Sequence, residues 1–213
     1  QGVVAVPDHL SNEEAATLPC AGLTAWNALV CKGQIKAGDT VLVQGTGGVS
    51  MFALQFARLH GARVIATSGS NEKLTRALQL GASDGINYKT TPDWEEKVRA
   101  LTGKVGVDHV VEVGGAATME KSLRAVRVGG VISLIGILAG GQAAFNPLPI
   151  LMKQVRVQGI FVGTREMFEA MNRAVALARL RPVVDRVFAL SEIHQALETM
   201  ASATHFGKIC VRV

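Results

Sequence analysis

The chain has 213 residues, 48% of them hydrophobic and 18% charged, with 23 glycines. That balance fits a buried α/β core with many tight turns and excludes a disordered chain or a coiled coil. No apolar run reaches the ~18–20 residues that span a bilayer, so no membrane partner is expected. The net charge of +5 is spread in ones and twos, and with one Tyr and two Trp there is little aromatic surface on which bases could stack, so nucleic acid is excluded as well. The excess reads as a solvated basic surface or as a mild pull on an anionic ligand such as a phosphorylated cofactor.

The front of the chain opens with Ser11-Asn12-Glu13-Glu14, the spacing of a capping box. A helix is predicted over Leu23–Cys31, ended by Gly33. From Ile35 to about Gly163, short β-branched runs then alternate with amphipathic stretches. The predicted strands are Thr40–Gln44, Arg63–Thr67, Gly85–Tyr88, Asp108–Val113, Val131–Ile135 and Val155–Val162. The predicted helices are Val49–Leu59, Asn71–Leu80, Asp93–Leu101, Ala117–Val126 and Pro147–Lys153. Strands and helices in this alternation imply βαβ units and a parallel sheet covered on both faces. Right-handed crossovers then leave a doubly wound topology as the economical choice.

The back of the chain departs from this pattern. Thr164–Leu180 reads as a long helix stopped by Arg181-Pro182. A strand (Val183–Ala189), a helix started by Ser191 (Glu192–Ser202) and a last strand (Lys208–Val213) follow. The two end strands pair with nothing evident in the sequence and read as pieces of a second domain. The domain plan is therefore a front segment, 1–22, a dinucleotide-binding domain, 23–163, and a closing helix with a returning segment, 164–213.

The sharpest motif is Gly45-Thr46-Gly47-Gly48-Val49-Ser50, which leaves a β-branched strand and opens a helix. That context is what a dinucleotide fingerprint requires. Gly45 permits the tight turn, and Gly47 lets the backbone approach a pyrophosphate. The amides of Gly48 and Val49 point at the phosphates, where the helix dipole favours negative charge. Ser50 replaces the third Gly or Ala and is small enough for helix–strand packing.

The second strand bears on which dinucleotide. An NAD site carries an Asp or Glu about 20 residues on, bonded to the ribose 2′-hydroxyl. Here the strand runs into Ser68-Gly69-Ser70-Asn71, with no carboxylate at its tip. Small polar residues leave room for a 2′-phosphate, and Lys73 is either its counter-charge or an ordinary surface lysine. The missing acid also counts against an S-adenosylmethionine-dependent methyltransferase.

Together with these motifs, several others resemble the medium-chain dehydrogenase/reductases, in their quinone-oxidoreductase-like and zinc-type alcohol-dehydrogenase-like branch. They include Val6-Pro7, Ala15-Ala16-Thr17-Leu18-Pro19, Gly22-Leu23-Thr24-Ala25-Trp26 and Gly38-Asp39-Thr40. Leu80-Gly81-Ala82, Ile86-Asn87-Tyr88, Gly129-Gly130 and Gly207-Lys208-Ile209 continue the series. The resemblance implies a six-stranded Rossmann sheet flanked by pieces of a GroES-like catalytic domain, the rest of which, roughly 100–150 residues, is absent from this sequence. It places Thr24 beside a nicotinamide and Tyr88 with Lys73 at a 2′-phosphate. It also implies that Phe161 and Val162 lie in the segment whose backbone holds the carboxamide. Val113, Ile135 and Gly136 fall at strand carboxyl ends, where an open α/β sheet binds ligand. Without the resemblance Thr24 reads as a helix-start cap, Tyr88 as a half-buried sheet-edge ring, and Val113, Ile135, Gly136, Phe161 and Val162 as ordinary core.

The same resemblance matches Cys20 to a catalytic zinc ligand whose partners lie in the absent domain, or equally to the cysteine of zinc-free relatives. One thiolate does not hold zinc, and His9, His60, His109, His194 and His205 show no metal spacing, so no metal is expected in this chain. Three cysteines without a CxxC pair suggest a reduced, cytoplasmic protein. No leader follows Gln1, and the chain reads as a fragment. The expected function is the NADP(H)-binding portion of an oxidoreductase. Its parent would pass hydride between the nicotinamide and a small-molecule carbonyl or alcohol, quinone or activated alkene. The alternative is a dinucleotide-binding module that catalyses nothing by itself. No general acid stands out. The apolar run 155–162 would be an edge strand, which invites pairing into a homodimer.

Overall fold

The computed structural model describes residues 3–142, 144 and 146–213. Six strands, β1 (Thr40–Gln44), β2 (Arg63–Ser68), β3 (Asp84–Asn87), β4 (Val107–Glu112), β5 (Val126–Leu134) and β6 (Arg156–Gly159), form one parallel sheet. Their order is β3-β2-β1-β4-β5-β6, the doubly wound Rossmann arrangement.

Successive strand side chains point to opposite faces, so each strand feeds two cores. Val41, Val43, Val64, Ala66 and Val111 face α3 (Gly48–Leu59) and α8 (Arg165–Leu177), where Met51, Phe52, Phe56, Met171 and Val175 complete one cluster. Leu42, Ile65, Val110 and Ile132 face α5 (Trp94–Leu101) and α6 (Ala116–Ala125), with Trp94, Val98 and Leu123. Burying each large side chain of this kind contributes about 1.5–3 kcal/mol. This two-sided burial is why the strands read as nearly continuous apolar runs rather than as alternating ones.

The capping box is present. Ser11 Oγ accepts from the Glu14 amide at 3.2 Å, and a Glu14 carboxylate oxygen accepts from the Ser11 amide at 2.9 Å. The helix it starts is longer than expected. After α1 (Asn12–Ala16) the chain continues through a π-helical turn, Leu18–Gly22, then α2 (Leu23–Trp26) and a second π-helical turn, Asn27–Lys32. Pro19 does not break this run because it sits in the first turn of its segment, where no amide is required. Gly33 ends the run as expected: a Cβ there would lie 2.5 Å from the Ala28 and Leu29 carbonyl oxygens.

Other boundaries also shift. β5 begins at Val126, not Val131. Val107 pairs with Val126 and His109 with Val131, and the intervening bulge turns at Gly129, φ +71. β6 ends at Gly159 rather than Val162, and Val162 itself takes φ +47, outside the strand region. Tyr88 lies just beyond β3. Ser191 does not cap a helix: it lies inside the short 3₁₀ turn Leu190–Glu192, and the Glu192 carboxylate takes the Ala189 amide at 2.8 Å before α9 (Ile193–Ala201).

The largest correction concerns the end strands. β7 (Val184–Ala189) and β8 (Lys208–Arg212) pair with each other, in parallel, as a separate two-stranded sheet. Their partnership spans helix α9 and is invisible to local pattern. The front of the chain packs against them: Glu13 meets Arg212 at 2.6 Å and Glu14 meets Arg181 at 2.8 Å. Among the described residues no helix is long and apolar enough to cross a membrane.

Candidate cofactor-binding site

The sheet order reverses between β1 and β4, and an open α/β sheet binds ligand at the carboxyl ends of its strands there. The glycine turn occupies that point. Gly45 takes φ +68, which glycine adopts without strain, and Gly47 caps α3 in extended backbone. Among the described residues no atom beyond the chain neighbours lies within 4 Å of where a Cβ would stand at either residue, so the approach to the α3 amides of Gly48 and Val49 is open. Gly48 is the crowded one: a Cβ there would lie 2.4 Å from Lys208 Cδ and 3.2 Å from Ala21. Behind the turn, Ser50 donates to the Gln44 carbonyl at 2.6 Å, and the buried Thr46 offers its own carbonyl to the Gly207 amide at 2.8 Å. Thus the returning chain segment locks onto the motif and brings Lys208 across the helix start.

At the tip of β2, Ser68 is buried and its Oγ accepts from the Ser70 amide at 3.3 Å. Tyr88 stands over Gly69, where a Cβ would meet its hydroxyl at 2.8 Å and Lys89 Cε at 2.9 Å. Ser68, Gly69, Tyr88 and Lys89 therefore share one corner. Lys73 begins α4 (Asn71–Gln79) beside it, but its ammonium donates to the Ala203 carbonyl at 2.5 Å. Burial holds the Lys73 pKa below the ordinary lysine range, with Arg76 adding repulsion against the opposing pull of Asp185 and Glu72. The first acid after the strand is Glu72, exposed in the first turn of α4.

On the other side of the reversal, the buried Glu112 organises the end of β4. Gln44 Nε2 donates to it at 2.7 Å, Thr118 at 2.6 Å, and the amides of Gly114 and Gly115 at 2.9 Å each, with the Ser122 hydroxyl completing the set. Val113 and Ile135 sit half-buried above this network, and Gly136 fits because a Cβ would approach the Val113 carbonyl oxygen to 2.6 Å. Thr24 is buried in α2 and its hydroxyl donates to the Cys20 carbonyl at 2.7 Å. Beyond β6, the Phe161 side chain is 94% exposed.

The structure thus brings Gly45–Val49 to the reversal, Ser68 and Tyr88 to the β2 tip, and Val113, Ile135 and Gly136 to the ends of β4 and β5. Lys73 lies next to that corner but bonded away from it. A cavity of about 550 Å³ bounded by Gly115, Ala116, Met119, Leu134 and Ile137 lies beside the β4–α6 turn and includes none of these candidates. Sequence reading overlooked roles for Gln44, Lys89, Glu112 and Lys208. Glu112 carried a usable signal, since an acid ending an apolar strand must find buried donors.

Residues 48–177 match the family described as zinc-binding dehydrogenases. The chain belongs to that family. It is 44% identical to a zinc-type alcohol dehydrogenase-like protein of Schizosaccharomyces pombe, over 99% of this chain and 63% of that protein. A crystal structure of an NAD-dependent alcohol dehydrogenase superposes with a TM-score of 0.91 at 38% identity, covering 99% of this chain and 61% of the other. A mycobacterial protein complexed with NADPH superposes with a TM-score of 0.87 at 28% identity, covering 99% of this chain and 68% of the other. The chain spans about 60% of the length of the curated relatives it matches and corresponds to the cofactor-binding half of a medium-chain dehydrogenase/reductase.

The family name raises zinc. Cys20 is exposed, but among the described residues no group of three or more His, Cys, Asp or Glu comes together. A catalytic zinc needs three protein ligands, and the residues present do not fit one.

Proposed function

We propose that the chain is the NADP(H)-binding portion of an oxidoreductase that transfers hydride between the nicotinamide and a carbonyl or alcohol, quinone or activated alkene. The observation that carries the reading is the carboxylate-free corner of Ser68, Gly69 and Tyr88 at the end of β2, one strand from an open glycine turn. The amides of Gly48 and Val49, with Lys208 alongside, would hold the pyrophosphate. Ser68, Lys73 and Tyr88, joined by Lys89, would hold the 2′-phosphate. Thr24, Val113, Ile135, Gly136, Phe161 and Val162 would enclose the nicotinamide half. When bound, the nicotinamide supplies the hydride chemistry; the protein contributes orientation and electrostatics. In this reading residues 23–163 form the binding domain, and 1–22 with 164–213 belong to its neighbour, in keeping with the Glu13–Arg212 and Glu14–Arg181 pairs.

Titrating the chain with NADPH and separately with NADH, by tryptophan quenching or calorimetry, tests the assignment. Tighter NADPH binding supports it, and equal or tighter NADH binding sinks the 2′-phosphate corner. The span of about 60% of the relatives favours a second reading, in which this chain binds the dinucleotide but turns nothing over. Binding without substrate-dependent oxidation of NADPH distinguishes it. We also propose a homodimer through the edge strand β6, beside which Leu151, Met152 and Phe161 are exposed. Light scattering that finds a monomer at high micromolar concentration refutes it.

A further inference from the structure

We infer that Asn27 is a positioning residue for the carboxamide end of the cofactor, acting through the backbone of Val162. The inference rests on the dinucleotide reading above. With the adenosine end at the β2 tip and the pyrophosphate at the glycine turn, the remaining half of an extended dinucleotide lies across β4, β5 and β6. The chain leaves β6 there through Phe161-Val162-Gly163. Among the described residues the amides of these three find no protein acceptor, so they are free to meet a ligand.

Val162 sits at φ +47. A β-branched residue is strained in that conformation, which persists only where its surroundings impose it. The Val162 carbonyl is held by a side chain 135 residues earlier: Asn27 Nδ2 donates to it at 2.9 Å. The same helical run grips the next residue, since a Cβ at Gly163 would lie 2.9 Å from Leu23 Cγ and Cδ1. Thr24, placed beside the nicotinamide in the proposed site, lies between these two grips in sequence.

Asn27 gains little for itself from the arrangement. It is 6% exposed, and among the described residues its buried Oδ1 has no partner. A buried amide oxygen left unsatisfied opposes folding, and side chains retained in that state tend to serve strain or function. Asn27 also opens a π-helical turn, a feature frequent at functional sites. Holding the Val162 carbonyl against the helix fixes the plane of the 162–163 peptide, and with it the free Gly163 amide. A planar primary amide, donor and acceptor side by side, is the ligand group such a fixed backbone segment recognises.

The test compares two ligands. NADPH carries the nicotinamide; 2′-phospho-ADP-ribose carries the same phosphates and adenosine without it. Asn27→Leu removes the donor at nearly constant shape, and Asn27→Asp replaces it with an acceptor facing the carbonyl. Each variant should bind NADPH about tenfold or more weakly, while its affinity for 2′-phospho-ADP-ribose stays within about twofold of the unsubstituted chain. Should Asn27→Leu fail to fold, Asn27→Asp carries the same comparison, with thermal unfolding as the check. Equal losses for both ligands, or loss for neither, overturn the inference while leaving the dinucleotide site intact. If the unsubstituted chain binds neither ligand, the dinucleotide reading falls and this one falls with it.

Discussion

In the proposed cofactor site two backbone segments offer amides, and they acquire their shapes by opposite routes. The turn at Gly45–Val49 is shaped locally. Gly45 takes φ +68 because it lacks a Cβ, and the amides point outward because a helix starts there. The segment Phe161–Gly163 is held from a distance, where the Asn27 amide donates to the Val162 carbonyl. The contrast teaches where each site is vulnerable. A substitution at Gly47 should act on the ligand and spare the fold, whereas the far segment should respond to a helix remote from it in the chain.

The largest effect is expected at Gly47. Its φ of −77 and ψ of −179 suit any residue, and no neighbour stands within 4 Å of a Cβ. Gly47→Val should fold, with a melting temperature within about 2 °C of the unsubstituted chain, while its side chain fills the pyrophosphate approach. NADPH affinity measured by calorimetry should fall at least ~100-fold, about 2.7 kcal/mol. Retained affinity would break the comparison at its stronger end.

Glu112 lies between the two segments and tests what supports them. Removing its carboxylate takes one of two acceptors from Gln44 Nε2, the Gly114 amide and the Thr118 hydroxyl, and leaves the Gly115 amide and the Ser122 hydroxyl without theirs. Glu112→Ala should lower stability by about 3 kcal/mol in chemical denaturation. A loss below about 1 kcal/mol would mean that other acceptors replace it.

The smallest and most specific effect concerns Lys73. Lys73→Ala should weaken NADPH about tenfold and leave NADH within about twofold. Because burial depresses its pKa, the charge on Lys73 is lost at a lower pH than that of an ordinary lysine, about 10.4. The proposed preference for NADPH should therefore be complete below the Lys73 pKa and decline as pH rises through it. Dissociation constants for both nucleotides between about pH 7 and pH 10 should show the preference narrowing before an ordinary lysine would titrate. A preference that is flat across that range would assign the counter-charge to another residue, with Lys89 the nearest candidate.

Much of this was legible before the structure. β1, α3 and the turn between them were readable because apolar period, glycine placement and helix start are local signals that agree. The doubly wound class followed from alternation and handedness and the six-stranded Rossmann sheet from the family resemblance, while the strand order itself came from the structure. The Ser11 cap was readable for the same reason. Less legible were β5, whose bulge at Gly129 disguises its first half, and β6, which Val162 cuts short. Neither the pairing of β7 with β8 nor the closure of Gly207 onto Thr46 left any local mark.

The sequence by itself determined the fold class, the glycine turn and the absence of an acid in Ser68–Asn71, because each is written within a few neighbouring residues as backbone freedom or side-chain charge. Only the tertiary structure decided that Lys73 turns to Ala203, that Lys89 joins Tyr88 over Gly69, that Lys208 crosses the α3 start and that Asn27 holds Val162. Each of those contacts joins elements that folding alone brings together. Their partners are chosen by packing, which a chain read in order does not express.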